Sequence, residues 1–248
     1  MLLTVSLREA LAREIQTAKG QALASSTRRT RDAQWRHYFN FCHQAGLVAL
    51  PADTFTVCAY IVFMARSFKY SSITNYISAV TYLHKWYGYL PPTMDNFDVV
   101  ATLKGVRRML GDAPSRKLPI TKDLLAKFYL HVDIKPDNDL ALWAAIICGF
   151  RAMLRKANIV YSKRSDQYLR RKDVQFKDWG MLFHLHKTKT LQYNERTLSI
   201  PVAFCNLPFC AATYVKRHFD SMPSAPDSPA FLRRTRSGKV VPMSHSYL

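Results

Sequence analysis

The sequence predicts a mainly α protein of two domains: a four-helix domain, then a mixed α+β domain holding a small three-stranded antiparallel sheet. Three observations predict it. Apolar residues recur at helical spacing from Trp35 to Leu110, with stop signals between the segments. Residues 111–119, GDAPSRKLP, carry two prolines, a glycine and three charges without an apolar period, as a linker does. Residues 174–202 then change to short runs of strand-formers separated by turn residues.

Residues 7–24, LREALAREIQTAKGQALA, make a weakly amphipathic helix that stops at Ser25 and Ser26, so residues 1–24 stand as an arm before the first domain. From Thr27 the pattern strengthens, with Trp35, Tyr38, Phe39 and Cys42 on one helical face and Gly46 as its stop. After Pro51, with Asp53 or Thr54 as cap, FTVCAYIVFMARSF is apolar nearly all round, which suits a helix in the middle of a bundle. Ser71 or Ser72 caps the next helix, where Ile73, Ile77, Val80 and His84 share a face and Gly88 ends it. Beyond the PPT turn, FDVVATLKGVRRMLG sets Phe97, Val100, Leu103, Val106 and Leu110 on one stripe. The helical domain is therefore assigned to residues 25–110, the linker to 111–118 and the second domain to 119–248.

In the second domain Thr121 caps a helix through Leu130, and LALWAAIICGF is apolar enough for a central buried helix. The strands are VQF, MLFHLH and RTLSIPV, with turns at Trp179-Gly180 and LQYNE. The helix AATYVKRHF and the loop SMPSAPDSP follow. Ser244 then caps a new helix, so the sequence breaks off in mid-element.

Charge narrows the function. The chain has 36 Lys and Arg against 17 Asp and Glu, a net +19. Residues 1–112 hold 13 cations against 7 anions (+6), and the rest 23 against 10 (+13), so both domains are basic. Such a surface binds a polyanion, and nucleic acid is the first candidate. No run of about 18 apolar residues occurs, and the opening MLLTVSLREALAREIQ carries charge where a signal peptide has its apolar core. These features predict a soluble intracellular protein with no membrane partner. The five cysteines are odd in number and spread among apolar neighbours, as reduced core residues are. Cys205, Cys210 and His218 give three ligands of a zinc set without a fourth, and Pro208 and Phe209 beside them are packing residues, so no metal site is assigned.

Two constellations carry chemistry. In HKTKTLQYNER, residues 186–196, Lys187 and Lys189 sit at the end of a hairpin. A lysine there can donate to a phosphate ester and protonate an alkoxide leaving group, whereas an isolated KTK is a solvated basic turn. In GFRAMLRKANIV, residues 149–160, Arg151, Arg155 and Lys156 emerge where the apolar stripe ends. An arginine there can fork onto the non-bridging oxygens of a phosphodiester, while Arg151 is read as offsetting the helix dipole. Cations also gather at Arg28, Arg29 and Arg31 before one helix, and Lys69, Tyr70, Ser71, Ser72 and Asn75 surround the start of another. That second group is a phosphate cradle with Asn75 one turn in, within reach of a base edge; ordinary capping and solvated charge account for each residue singly. Arg233, Arg234, Arg236 and Lys239 surround a Ser-Gly turn, either tracking phosphates or solvated. The aromatics Trp35, Tyr38, Phe39, Tyr82, Trp86 and Trp143 are assigned to the core by their helical spacing. A metal-dependent nuclease needs clustered carboxylates, and the 17 acids are scattered.

The order of parts is what identifies a resemblance: a helical domain, a linker, a buried helix ending in LRKANIV, then a sheet whose second hairpin carries KTKTLQYNERTLSIP. Over about residues 25–248 the chain resembles the tyrosine recombinases, the phage-integrase-like family, and most closely those of eukaryotic mobile elements. The resemblance implies a SAM-like core-binding domain followed by a catalytic domain, forming a C-shaped clamp on double-stranded DNA, with a tetramer on paired sites. It places the first catalytic arginine at Arg155, with Asn158 where many relatives have glutamate. It places the catalytic lysine at Lys189, with Lys187 as the alternative that would lie within the strand. The implied chemistry uses no metal or cofactor: a tyrosine attacks the phosphate, arginines clamp it and lysine protonates the departing 5′ oxygen. The family also requires a His-x-x-Arg box and a C-terminal tyrosine. His245 is followed by Ser246, Tyr247 and Leu248, without an arginine three positions on. The sequence is therefore read as a recombinase cut short before its second arginine and nucleophile, binding DNA without completing cleavage. The alternative is a non-catalytic DNA-binding module derived from a mobile element. In a eukaryote either reading implies the nucleus.

Overall fold

The computed structural model describes residues 2–91, 95–113, 117–135, 137–189, 193 and 196–248, with side chains from Ser6 onward. The chain divides into two compact units, Met1–Arg116 and Lys117–Leu248. The molecule is mainly helical, and its three-stranded sheet lies in the second unit.

The first unit contains α1 (Leu2–Gln21), α2 (Ser25–Ala45), α3 (Thr54–Ala65), α4 (Tyr70–Trp86) and α5 (Phe97–Leu110). Gly46 ends α2 in the left-handed region at φ 65°, where its N–H and that of Leu47 return to the carbonyls of His43 and Cys42. The Asp53 carboxylate starts α3 by accepting from the Thr56 N–H at 2.7 Å. Asn96 starts α5 by accepting from the N–H groups of Asp98 and Val99. α4 differs from expectation: it begins at Tyr70 with Lys69 at the cap, and neither Ser71 nor Ser72 caps it. The helix thus starts two or three residues earlier than the serines suggest, with the Ser72 and Ile73 N–H groups donating to the Lys69 carbonyl.

Tyr60 is at the centre of this core, with its ring 5.0 Å from Tyr38 and 5.1 Å from Phe41, and its hydroxyl 2.8 Å from His37 Nδ1. Burying aromatics of this size is worth about 2–3 kcal/mol each. His84, fully buried, accepts from the Ala52 N–H through Nε2 and donates from Nδ1 to the Val80 carbonyl, which fixes the Nδ1–H tautomer. Ile73, Ile77 and Val80 share its face as the spacing predicts. Other faces are rotated from the prediction. Phe41 is buried in place of Phe39, and α5 buries Val99, Leu103 and Val106 while Phe97 stays 81% exposed. Phe55 and Val62 leave one side of α3 open, so that helix is not buried all round. In each case 100° per residue permits two neighbouring stripes, and the bundle selects one.

The second unit contains α6 (Lys122–Tyr129), α7 (Asp137–Arg151), the single turn α8 (Lys156–Ile159) and α9 (Ala211–Ser221). Its sheet is formed by β1 (Val174–Lys177), β2 (Gly180–Leu185) and β3 (Leu198–Ala203), antiparallel in the order β1-β2-β3. The register pairs Val174 with Phe183 and Phe183 with Ile200, which sets Met181, Phe183 and Leu185 into the core and His184 on the other face. Gly180 opens β2 at φ 152°, and a Cβ there would lie 2.2 Å from the Val202 carbonyl oxygen. α7 is the spine: Trp143 is fully buried, donates to the Pro208 carbonyl at 3.2 Å, and meets Tyr129 and Tyr214, whose hydroxyls are 3.0 Å apart.

The tail is corrected by the structure. Instead of a helix begun by Ser244, it contains the hairpin β4 (Leu232–Arg234) and β5 (Val240–Pro242), followed by a turn. Phe231 and Met243 are fully buried on either side of the hairpin, and the Met243 N–H donates to the Phe231 carbonyl, so strand pairing there secures both side chains. Of the LQYNE turn, residues 191, 192, 194 and 195 lie outside the described residues, as do Pro92 and Thr93 of the PPT turn.

Candidate functional site

α7 does not run into LRKANIV as one helix. It ends at Arg151, and Met153, at φ 50° and 91% exposed, turns the chain so that Arg155 becomes the cap residue of α8. A non-glycine residue in the left-handed region is uncommon, and nothing in the sequence around Met153 announces it. Arg151, Arg155 and Lys156 all emerge exposed, as the end of the apolar stripe requires. The Arg155 side chain has no hydrogen bond or ion pair among the described residues, whereas Lys156 donates to the His245 carbonyl at 2.9 Å.

Asn158 explains how α8 is fixed. Buried to 3% exposure, it donates its side-chain amide to the Gln167 carbonyl at 3.0 Å and, at 3.5 Å, reaches the Lys187 carbonyl. Its backbone completes the frame, with the Asn158 N–H donating to the Arg155 carbonyl and the Leu169 N–H donating to the Asn158 carbonyl. One side chain therefore joins the turn that presents Arg155 to the end of the strand that leads to Lys189.

β2 ends at Leu185, so Lys187 lies beyond the strand rather than within it. Past Leu185 the chain leaves the β3 ladder, and Lys187 bends to Asp166, forming an ion pair at 2.6 Å. The Lys187 hydrogen bond, acting against a smaller burial effect, holds the Asp166 carboxyl below its ordinary value. Thr188 is buried, while Lys187 is half-buried and Lys189 exposed. Beside them is a cleft of about 240 Å³ whose lining includes Asp166, Arg170, Lys172, His184, His186 and Lys187. His186 lies 3.3 Å from Asp173, and Lys172 pairs with Asp227 at 2.6 Å. Asp166 precedes Lys187 by 21 positions with no motif between them, so sequence reasoning had no signal for the pair.

In the first unit the two cationic groups lie at opposite ends of one helix pair. Arg31 stacks its guanidinium 3.9 Å over Tyr82, Trp35 donates to the Ala79 carbonyl, and His37 meets Tyr76, so α2 and α4 run antiparallel. Arg28, Arg29 and Arg31 therefore sit beside the C-terminal end of α4, while Lys69, Tyr70, Ser71, Ser72 and Asn75 occupy its start, roughly 15 Å away at helical rise. Arg28 donates to the Gly20 carbonyl and Tyr70 has Arg107 over its ring, whereas Lys69, Ser71 and Asn75 are exposed. In the late basic group, Arg234 is engaged by Asp137 at 2.7 Å and Arg233 stacks over Tyr247. No helix among the described residues is long and apolar enough to cross a membrane.

No protein-family model matches the chain. Among curated proteins it is similar to one from Selenomonas ruminantium named integrase/recombinase xerD homolog, with 25% identity over 205 residues, covering 80% of this chain and 57% of that protein. The chain thus spans less than two thirds of that relative's length.

Proposed function

We propose that this chain binds double-stranded DNA and carries part of a tyrosine-recombinase phosphodiester site. The observation that supports this best is the Asn158 amide, which bridges the turn bearing Arg155 and the strand end leading to Lys189. The similarity to a protein named integrase/recombinase supports the same reading independently. In it, Arg155 forks two hydrogen bonds onto the non-bridging oxygens of the scissile phosphate, where charge grows in the transition state. Lys189 donates its proton to the departing 5′ oxygen, and a tyrosine oxygen forms the new bond to phosphorus. Lys187, held by Asp166, serves the site as a structural cation.

Residues 25–110 act as the core-binding domain, residues 119–248 as the domain that carries the phosphodiester site, and residues 1–24 as an arm. The assembly on paired sites is a tetramer. Within these 248 residues no His-x-x-Arg follows Lys189, so the chain by itself binds DNA and does not cut it. We also propose an origin in a mobile element, on the sequence resemblance alone.

The test is equilibrium binding to duplex DNA over a salt series, alongside an Arg155→Ala, Lys189→Ala double variant. Binding falls steeply with salt, and the double variant loses about one or two phosphate contacts' worth of slope. A suicide substrate yields no covalent adduct with this chain. Absence of binding at low salt would overturn the proposal.

A further inference from the structure

Cys205 and Cys210 bracket the loop that joins β3 to α9. Cys205 is exposed and Cys210 is fully buried at the cap position of α9. The Cys210 sulfur is held from two sides: the Cys205 N–H donates to it at 3.3 Å and the Thr213 hydroxyl at 3.0 Å. The Cys205 thiol donates to the Phe209 carbonyl at 3.4 Å. With the Cys205 N–H on the Cys210 sulfur, the Cys205 Cα lies within about 4.8 Å of that sulfur, inside the reach of a disulfide. The geometry is that of a dithiol with one accessible member and one preset member. It does not form a zinc set, because His218 Nε2 accepts from the Leu232 N–H and its ring stacks on Phe231.

We propose that Cys205 and Cys210 form an oxidisable pair that closes to an intramolecular disulfide when peroxide reaches Cys205. Burial alone would raise the Cys210 thiol, yet the hydrogen bonds from Thr213 and Cys205 outweigh it and hold the thiol below its ordinary value. The start of α9 adds its N-terminal dipole, which favours a thiolate. Cys205 is raised by burial, an effect opposed by Arg151. In the first step the Cys205 thiolate attacks hydrogen peroxide; the O–O bond breaks, hydroxide leaves and Cys205 becomes a sulfenic acid. In the second, the Cys210 thiolate attacks the Cys205 sulfur; the S–S bond forms, the S–O bond breaks and hydroxide leaves. With the two thiol protons the balance is two thiols and one peroxide giving one disulfide and two waters. The bond fastens the loop to α9, which packs on α7, the helix that leads to Arg155.

The experiment uses the full chain, reduced and then exposed to equimolar hydrogen peroxide, denatured in N-ethylmaleimide and digested with trypsin without reductant. Both cysteines fall in the peptide Thr197–Lys216. That peptide is expected to lose two hydrogens, take up no maleimide and revert with dithiothreitol, whereas the peptide that carries Cys58 takes the maleimide. In Cys205→Ser, which alters the exposed member and spares the core, Cys210 stays reduced and takes the maleimide. A wild-type peptide carrying two maleimides, a sulfinic acid at Cys205 without the crosslink, or a disulfide-linked dimer would each overturn the proposal. None of these outcomes depends on DNA binding.

Discussion

The Lys187 ammonium and the Asp166 carboxylate meet at 2.6 Å, an ion pair that ties the chain beyond β2 to the segment that follows α8. Lys187 is half-buried in this pair, and Lys189 two positions on is exposed. Because both partners are substantially exposed, solvent screens the pair, and Asp166→Asn should cost no more than about 0.5–1 kcal/mol at neutral pH. The Asp166 carboxyl titrates below 3.8 in the fold, so its contribution is full above that value and is lost as pH falls through the folded value. Urea titrations of wild type and variant should differ at neutral pH and converge at strongly acidic pH.

Asn158 is a different case, since its amide is buried and donates to the Gln167 carbonyl at 3.0 Å. Asn158→Ala strands the Gln167 carbonyl and should cost about 1–3 kcal/mol. Denaturant melts read the stability loss. The salt slope of DNA binding should fall together with it, because Arg155 loses its frame.

His218 is held down to about 4 by burial and then by the charge of Arg171. The unfolded chain takes up a proton near the ordinary 6.5, which the folded chain refuses until about 4. Stability should therefore fall by about 3 kcal/mol as pH drops across that interval and level off below it, with no contribution above it. His218→Gln keeps an acceptor for the Leu232 N–H and should flatten this part of the profile in denaturation experiments.

Gly180→Ala tests the sheet. A Cβ 2.2 Å from the Val202 oxygen, on a backbone at φ 152°, must push β3 away, and an expected loss of about 3 kcal/mol or more should appear as a lowered denaturation midpoint.

The local rules of the chain were legible where one residue suffices to state them. Gly46, Asp53 and Thr121 mark helix ends by their own chemistry, and the alternation of MLFHLH gives β2 and its buried face. The emergence of Arg151, Arg155 and Lys156 at a surface followed from the end of an apolar stripe. The face of α5 was not legible, because Phe97 and Val99 are equally apolar and only the neighbouring helices select Val99. The tail hairpin was missed for a similar reason: Val240 and Val241 are too short a run to announce a strand without Leu232 and Arg233 opposite them.

The sequence by itself determined the mainly helical character, the position of the three-stranded sheet and the basic charge, since these depend on periodicity and composition. Tertiary structure decided the site. Met153 adopts a left-handed turn that its neighbours do not announce, and Asn158 reaching the Lys187 carbonyl and Asp166 meeting Lys187 join residues more than 20 positions apart. Each is set by how the folded segments meet, and no motif along the chain encodes it.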